Sequence, residues 1–99
     1  MNYAEIIKSS KVVLVEFYAT WCPHCNRMKP IVAEVKELMA GKAGVYQFDV
    51  DADKDLASEN NVESIPTFIA YKNGEEAWRY SGEITRDELV AKLSAMSED

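Results

Sequence analysis

The sequence predicts an α/β fold, a central mixed β-sheet flanked by helices, and three features predict it. Val12–Tyr18 is a near-continuous apolar run of the kind seen in strands covered on both faces, and Val45–Val50 reads as a second buried strand, with a helix-period segment between them. Asn73-Gly74 separates two further strand-like runs with the residue pair that suits a tight antiparallel turn. Thr85-Arg86-Asp87-Glu88 then opens a last amphipathic segment with a capping-box pattern.

The elements follow in order. Residues Asn2 to Ser9 read as a short opening helix, with Asn2 as N-cap, Glu5 three residues on, and Tyr3, Ile6 and Ile7 on one side. Val12–Tyr18 is the first strand. From Pro23 to about Met39 the apolar positions Met28, Ile31, Val32, Val35, Leu38 and Met39 recur at three- and four-residue steps, a helix with one buried stripe. Pro23 suits a first helical position, whereas Pro30 removes a backbone donor mid-helix and predicts a kink without an end. Gly41 and Gly44 close the segment. Val45–Val50 reads as a second buried strand, parallel to the first through a right-handed crossover. In the polar stretch Asp51–Asn61, Asp53 can cap a short helix with few apolar contacts, chiefly Leu56 and Ala57. Thr67–Lys72 and Glu76–Ser81 form the hairpin, and the final helix buries Leu89, Val90, Leu93 and Met96. The predicted order is αβαβαββα.

At 99 residues, 47% of them apolar, the chain fits a single domain, 1–99, around one core. A formal charge of -6 spread over both halves argues against nucleic acid as a partner. The longest apolar stretch near the N-terminus is broken by Glu16 and has no small-residue cleavage pattern behind it, so no secretory signal or membrane span is read, and a cytoplasmic location is expected. The two cysteines, Cys22 and Cys25, lie where the first strand gives way to its helix. A bridge between them would close a loop too small to scaffold the chain, which leaves redox chemistry or metal ligation.

Several motifs occur together and in one order: Trp21-Cys22-Pro23-His24-Cys25 after a strand, Ser64-Ile65-Pro66-Thr67 before the third strand, Lys72-Asn73-Gly74 at the hairpin, and Gly82 beyond the fourth strand. Over essentially its whole length the chain resembles a thioredoxin. The resemblance implies the thioredoxin fold and a thiol-disulfide oxidoreductase that reduces protein disulfides, with Cys22 and Cys25 as its redox-active disulfide. It implies protein disulfide substrates, a thioredoxin reductase as partner, a monomer, and no bound cofactor or metal. Pro66 would follow a cis peptide that keeps backbone groups free to pair with an extended substrate. Trp21, Ile65, Pro66 and Gly82 would form a shallow apolar landing surface around Cys22.

The residues themselves suit this chemistry. A thiol attacks a disulfide only as thiolate, and a sulfur at a helix start faces unpaired N–H groups and the positive end of the helix dipole. Cys22 is therefore expected to be the nucleophile. Cys25, one turn further in, is expected to be more shielded, to stay protonated, and to resolve the mixed disulfide. Thioredoxins usually carry Gly-Pro between the cysteines; Pro23-His24 here resembles the dipeptide of periplasmic disulfide oxidases. His24, if charged or suitably directed, would stabilise the Cys22 thiolate and make the disulfide a stronger oxidant, with each pKa unit worth about 1.4 kcal/mol or about 30 mV. Glu16 interrupts an apolar strand where thioredoxins usually hold Asp; buried, it would have a raised pKa and could relay a proton to or from Cys25. The family's lysine on the second strand has no match, since Gln47 stands there.

Two other functions compete. Pro23-His24 suggests net oxidation or isomerisation of disulfides, against which the missing export signal weighs. Cys22, Cys25 and His24 could instead ligate zinc or an iron-sulfur cluster, but one chain supplies three ligands where a closed zinc site needs four. The aspartates Asp49, Asp51, Asp53 and Asp55 lack the glycine and terminal Glu of a calcium loop and read as solvated turn residues.

Overall fold

A computed structural model describes residues 1–98. Its elements are α1 (Tyr3–Ile6), β1 (Val12–Tyr18), α2 (Pro23–Leu38), β2 (Gly44–Asp49), α3 (Lys54–Glu59), β3 (Thr67–Lys72), β4 (Glu75–Ser81) and α4 (Arg86–Ser97). The expected order αβαβαββα is the observed one. They build a four-stranded mixed sheet in the order β2-β1-β3-β4, with β1 parallel to β2 and antiparallel to β3, and β3 antiparallel to β4.

Period-two alternation along β1 feeds two layers. Val12 and Leu14 join Met28, Val32 and Val35 of α2 and Leu89 and Leu93 of α4 on one face of the sheet. Val13, Val15 and Phe17 meet Ala57 of α3 on the other, under Tyr3, Ile7 and Phe48. Residues Val12 through Phe17 are buried, so this strand is covered on both faces as its composition predicts. Burying side chains of this kind contributes about 1.5–3 kcal/mol each.

Helix starts are set by side chains that take up otherwise unpaired N–H groups. Asn2 and Glu5 form a reciprocal capping box on α1, and the Thr85 Oγ1 accepts the Glu88 N–H at 3.1 Å on α4. Asp53 stands at the N-cap of α3 but makes no side-chain cap bond, contrary to its expected role. The helix α2 continues through Pro30 to Leu38. Asn73 and Gly74 both have positive φ, 53° and 82°, as the twist of a two-residue hairpin turn requires.

Elsewhere the structure departs from the sequence expectation. The second strand, expected to be buried, lies at the sheet edge, and only Val45 on it is buried, because β2 pairs on one side alone. Leu38, expected in the buried stripe, is exposed, since the last turn of α2 rotates it off the sheet. The opening helix is one turn, Tyr3–Ile6, and not the full span to Ser9. Among the described residues no helix is long and apolar enough to cross a membrane.

Candidate active site

The site lies where β1 ends. After Tyr18 the chain turns through Ala19-Thr20-Trp21, and Cys22 becomes the N-cap of α2, with extended backbone and Pro23 following at the first helical position. The Cys22 Sγ accepts the Cys25 backbone N–H at 3.3 Å, so the sulfur occupies the place a serine or aspartate oxygen takes at an ordinary N-cap. It also lies 3.9 Å from the Ile65 carbonyl oxygen. Both cysteines are free thiols and both are buried, 3% and 4% exposed, so residue burial does not separate them as expected. Burial pushes the Cys25 thiol up, its hydrogen bond with Cys22 adds to this, and the Glu16 charge nearby acts in the same direction.

Ile65 packs against Ala19, Cys22 and Cys25, and the Ile65-Pro66 peptide is cis. Two contacts anchor this loop. The Thr67 hydroxyl donates to the Ser64 carbonyl at 2.6 Å, and the Gly82 N–H donates to the Pro66 carbonyl at 2.8 Å. Gly82 has φ +109° with open space where a Cβ would stand, so backbone conformation rather than room selects glycine. Trp21 is 66% exposed, outside any core, and its indole N–H donates to the Asp51 Oδ2 at 2.8 Å. Asp51, expected to be a solvated turn residue, is thus a side-chain partner of the motif.

Glu16 is 1% exposed and lies on the β1 face that looks toward α2, level with Gln47 across the parallel pair. Gln47 Nε2 donates to its Oε1 at 2.9 Å, while Oε2 is buried without a hydrogen-bond partner. Burial raises the carboxyl to about 7, and the Gln47 bond partly opposes the rise. Glu16, Cys25 and Gln47 line one cavity of about 220 Å³, with Thr20, Asn26 and Lys29 also contributing to its wall. A cavity of that size has room for several waters, and Glu16, Gln47 and Asn26 offer them polar partners.

His24 is exposed, and its ring turns to a partner that no sequence pattern indicated. Nδ1 lies 2.7 Å from Glu83 Oε2, and the same oxygen takes Arg27 Nε at 3.0 Å and Nη2 at 2.8 Å. The Arg27 guanidinium and the His24 contact hold the Glu83 carboxyl down at about 2. Arg27, Glu83 and Asp51 escape a sequence reading because charged residues in a helix start or a loop look alike until the fold gives them neighbours. Among the described residues no three His, Cys, Asp or Glu side chains cluster as metal ligands would.

Comparison with known proteins decides the family. The sequence pattern described as Thioredoxin matches residues 1–95. The chain belongs to the thioredoxin family. It is 38% identical to the chloroplastic thioredoxin Y of Oryza sativa subsp. japonica over 92% of this chain and 54% of that protein. It is 34% identical to a thioredoxin of Alicyclobacillus acidocaldarius subsp. acidocaldarius over 94% of this chain and 89% of the other. Among solved structures, a mutant thioredoxin from Halobacterium salinarum NRC-1 superimposes with a TM-score of 0.90 at 30% identity, covering 97% of this chain and 83% of that one. The fold is therefore the thioredoxin fold, and proteins named thioredoxin are protein-disulfide oxidoreductases.

The chain spans about half the length of the thioredoxin Y relatives it matches. Those of rice and Arabidopsis thaliana are chloroplastic, which overturns the expected cytoplasmic location. Compartment is written in targeting segments, and the residues that build a redox fold are silent about it.

Proposed function

We propose that this chain, as one thioredoxin domain over residues 1–99, reduces protein disulfides by dithiol exchange through Cys22 and Cys25. The observation that carries the reading is the Cys22 sulfur at the α2 N-cap on the Cys25 N–H, beside the Ile65-Pro66 loop, with buried Glu16 sharing a cavity with Cys25. A sulfur so placed faces the N-terminal end of the α2 dipole and accepts one of its N–H groups.

The Cys22 thiolate attacks one sulfur of a client disulfide, forming a mixed disulfide and expelling one client thiolate. Cys25 gives its proton to the Glu16 carboxylate, through the cavity, and its sulfur attacks Cys22 Sγ. That forms the Cys22–Cys25 disulfide and releases the second client thiolate, so the client gains the two electrons the pair loses. A reductase or a small dithiol restores the pair. Trp21, Ile65, Pro66 and Gly82 supply the landing surface, with Trp21 held by Asp51, and the protein acts as a monomer. His24 makes the couple less reducing than that of a Gly-Pro thioredoxin by tens of millivolts, since each tenfold change is about 30 mV.

Dithiothreitol-dependent insulin reduction tests the activity. Wild type is expected to accelerate it, Cys22→Ser to abolish it, and Cys25→Ser to accumulate a mixed disulfide through Cys22. A Cys25→Ser variant that traps no client, with a wild type no faster than dithiothreitol alone, would sink the proposal. Titration against glutathione tests His24: a potential level with or below that of a Gly-Pro thioredoxin contradicts its assigned effect.

A further inference from the structure

Arg27 and the ionisable ring of His24, both near the Cys22 end of α2, are tied to one oxygen. Glu83 Oε2 meets His24 Nδ1 at 2.7 Å and Arg27 Nη2 at 2.8 Å, and Arg27 Nη2 also approaches His24 Nδ1 at 2.9 Å. The ionised carboxylate only accepts, so a hydrogen bond across 2.7 Å puts a proton on His24 Nδ1, and the 2.9 Å approach of Arg27 Nη2 to that nitrogen is then a close contact and no hydrogen bond. Arg27 is within electrostatic reach of the Cys22 sulfur. Glu83 is itself fixed to the site, because its neighbour Gly82 donates to the Pro66 carbonyl at 2.8 Å. One residue thus links the loop after β4 to the start of α2. These side chains are exposed, and exposed pairs contribute little to stability, so the arrangement matters through where it puts charge.

We propose that Glu83 is a positioning residue that sets the redox potential of the Cys22–Cys25 pair: it pins His24 and Arg27 in place and offsets the positive charge Arg27 presents to the Cys22 sulfur. The inference rests on the exchange activity proposed above. It predicts that this chain is less oxidising than its Pro-His dipeptide alone would make it. Removing the negative charge leaves the guanidinium, and His24 whenever it is protonated, free to favour the thiolate, which favours the reduced form.

Glu83→Gln keeps the side-chain shape and removes the charge. In a glutathione redox buffer at low ionic strength, the equilibrium constant for reduction of the pair is expected to rise at least twofold and up to about tenfold, the latter equal to about 30 mV. The shift should shrink as salt is added. Arg27→Gln should move the constant the opposite way. Nitrogen NMR of neutral His24 supplies a readout that mere folding would not move: Nδ1 protonated in wild type, and a return toward Nε2 protonation in Glu83→Ala. A rise of less than twofold in Glu83→Gln, or a wild-type ring protonated at Nε2, overturns the role of Glu83 while a wild type that exchanges normally leaves the activity standing. A wild type that neither exchanges with glutathione nor accelerates insulin reduction overturns both.

Discussion

Glu16 carries the clearest pH dependence in the molecule. Its carboxyl sits at about 7 in the fold against about 4.3 in an unfolded chain. Between those values the unfolded state has lost a proton that the folded state keeps, so this group's contribution to stability is greatest below pH 4 and falls as pH rises to about 7. The loss is on the order of 3 kcal/mol. Glu16→Gln is therefore expected to be the more stable protein at about pH 8 and nearly equal to wild type at about pH 4, read from urea midpoints across that range. The same residue bears on rate. Above about pH 7 the carboxylate can take the Cys25 proton, so resolution of the mixed disulfide should rise with pH around that midpoint. Glu16→Gln should slow resolution more than attack by Cys22, in stopped-flow kinetics, and equal slowing would count against the relay. Burial of Glu16 was one of two readings the sequence left open, since the flexible arm of an acid near a strand end can also reach solvent, and the cover on both faces of β1 decides it. The orphaned Oε2 and the Gln47 bond were not legible, since they depend on parallel pairing across 31 positions.

Elements were legible where their signals were local. A capping residue, a turn pair and a helix period all lie within a few positions, so Asn2, Thr85 and Asn73-Gly74 do what their chemistry suggests. Thr85→Ala should cost about 1 kcal/mol of stability through the lost bond to Glu88 N–H. Asp53→Ala should fall within about 0.5 kcal/mol of wild type, since the Asp53 side chain caps nothing. Chemical denaturation of the two variants side by side distinguishes a cap that bonds from one that only occupies the position. What local signals missed was rank within the sheet. The apolar residues of β2 resemble those of β1, but Tyr46 and Phe48 cover one layer from an edge and leave Gln47 exposed. Leu38 likewise keeps the helix period in sequence while the helix end carries it past the sheet.

At the scale of the whole molecule, the radius of gyration of 12.5 Å is that expected of a compact fold of this length, about 13 Å for 100 residues. The class and order of elements followed from the sequence because a crossover helix forces β1 and β2 parallel and a two-residue turn forces β3 and β4 antiparallel. Joining those halves through β1 and β3 was not written in any local pattern. Native-state hydrogen exchange should find the slowest amides in β1 and β3, paired on both sides, and faster ones in β2 and β4. The central place of β1 has a consequence for biosynthesis. Its antiparallel partner spans residues 67–72, so during synthesis β1 waits with one edge unsatisfied until Thr67–Lys72 has emerged. A nascent chain arrested before Thr67 should be digested by proteases, and one extending past Ser97 should resist them, because β1 gains its second partner only when β3 is present.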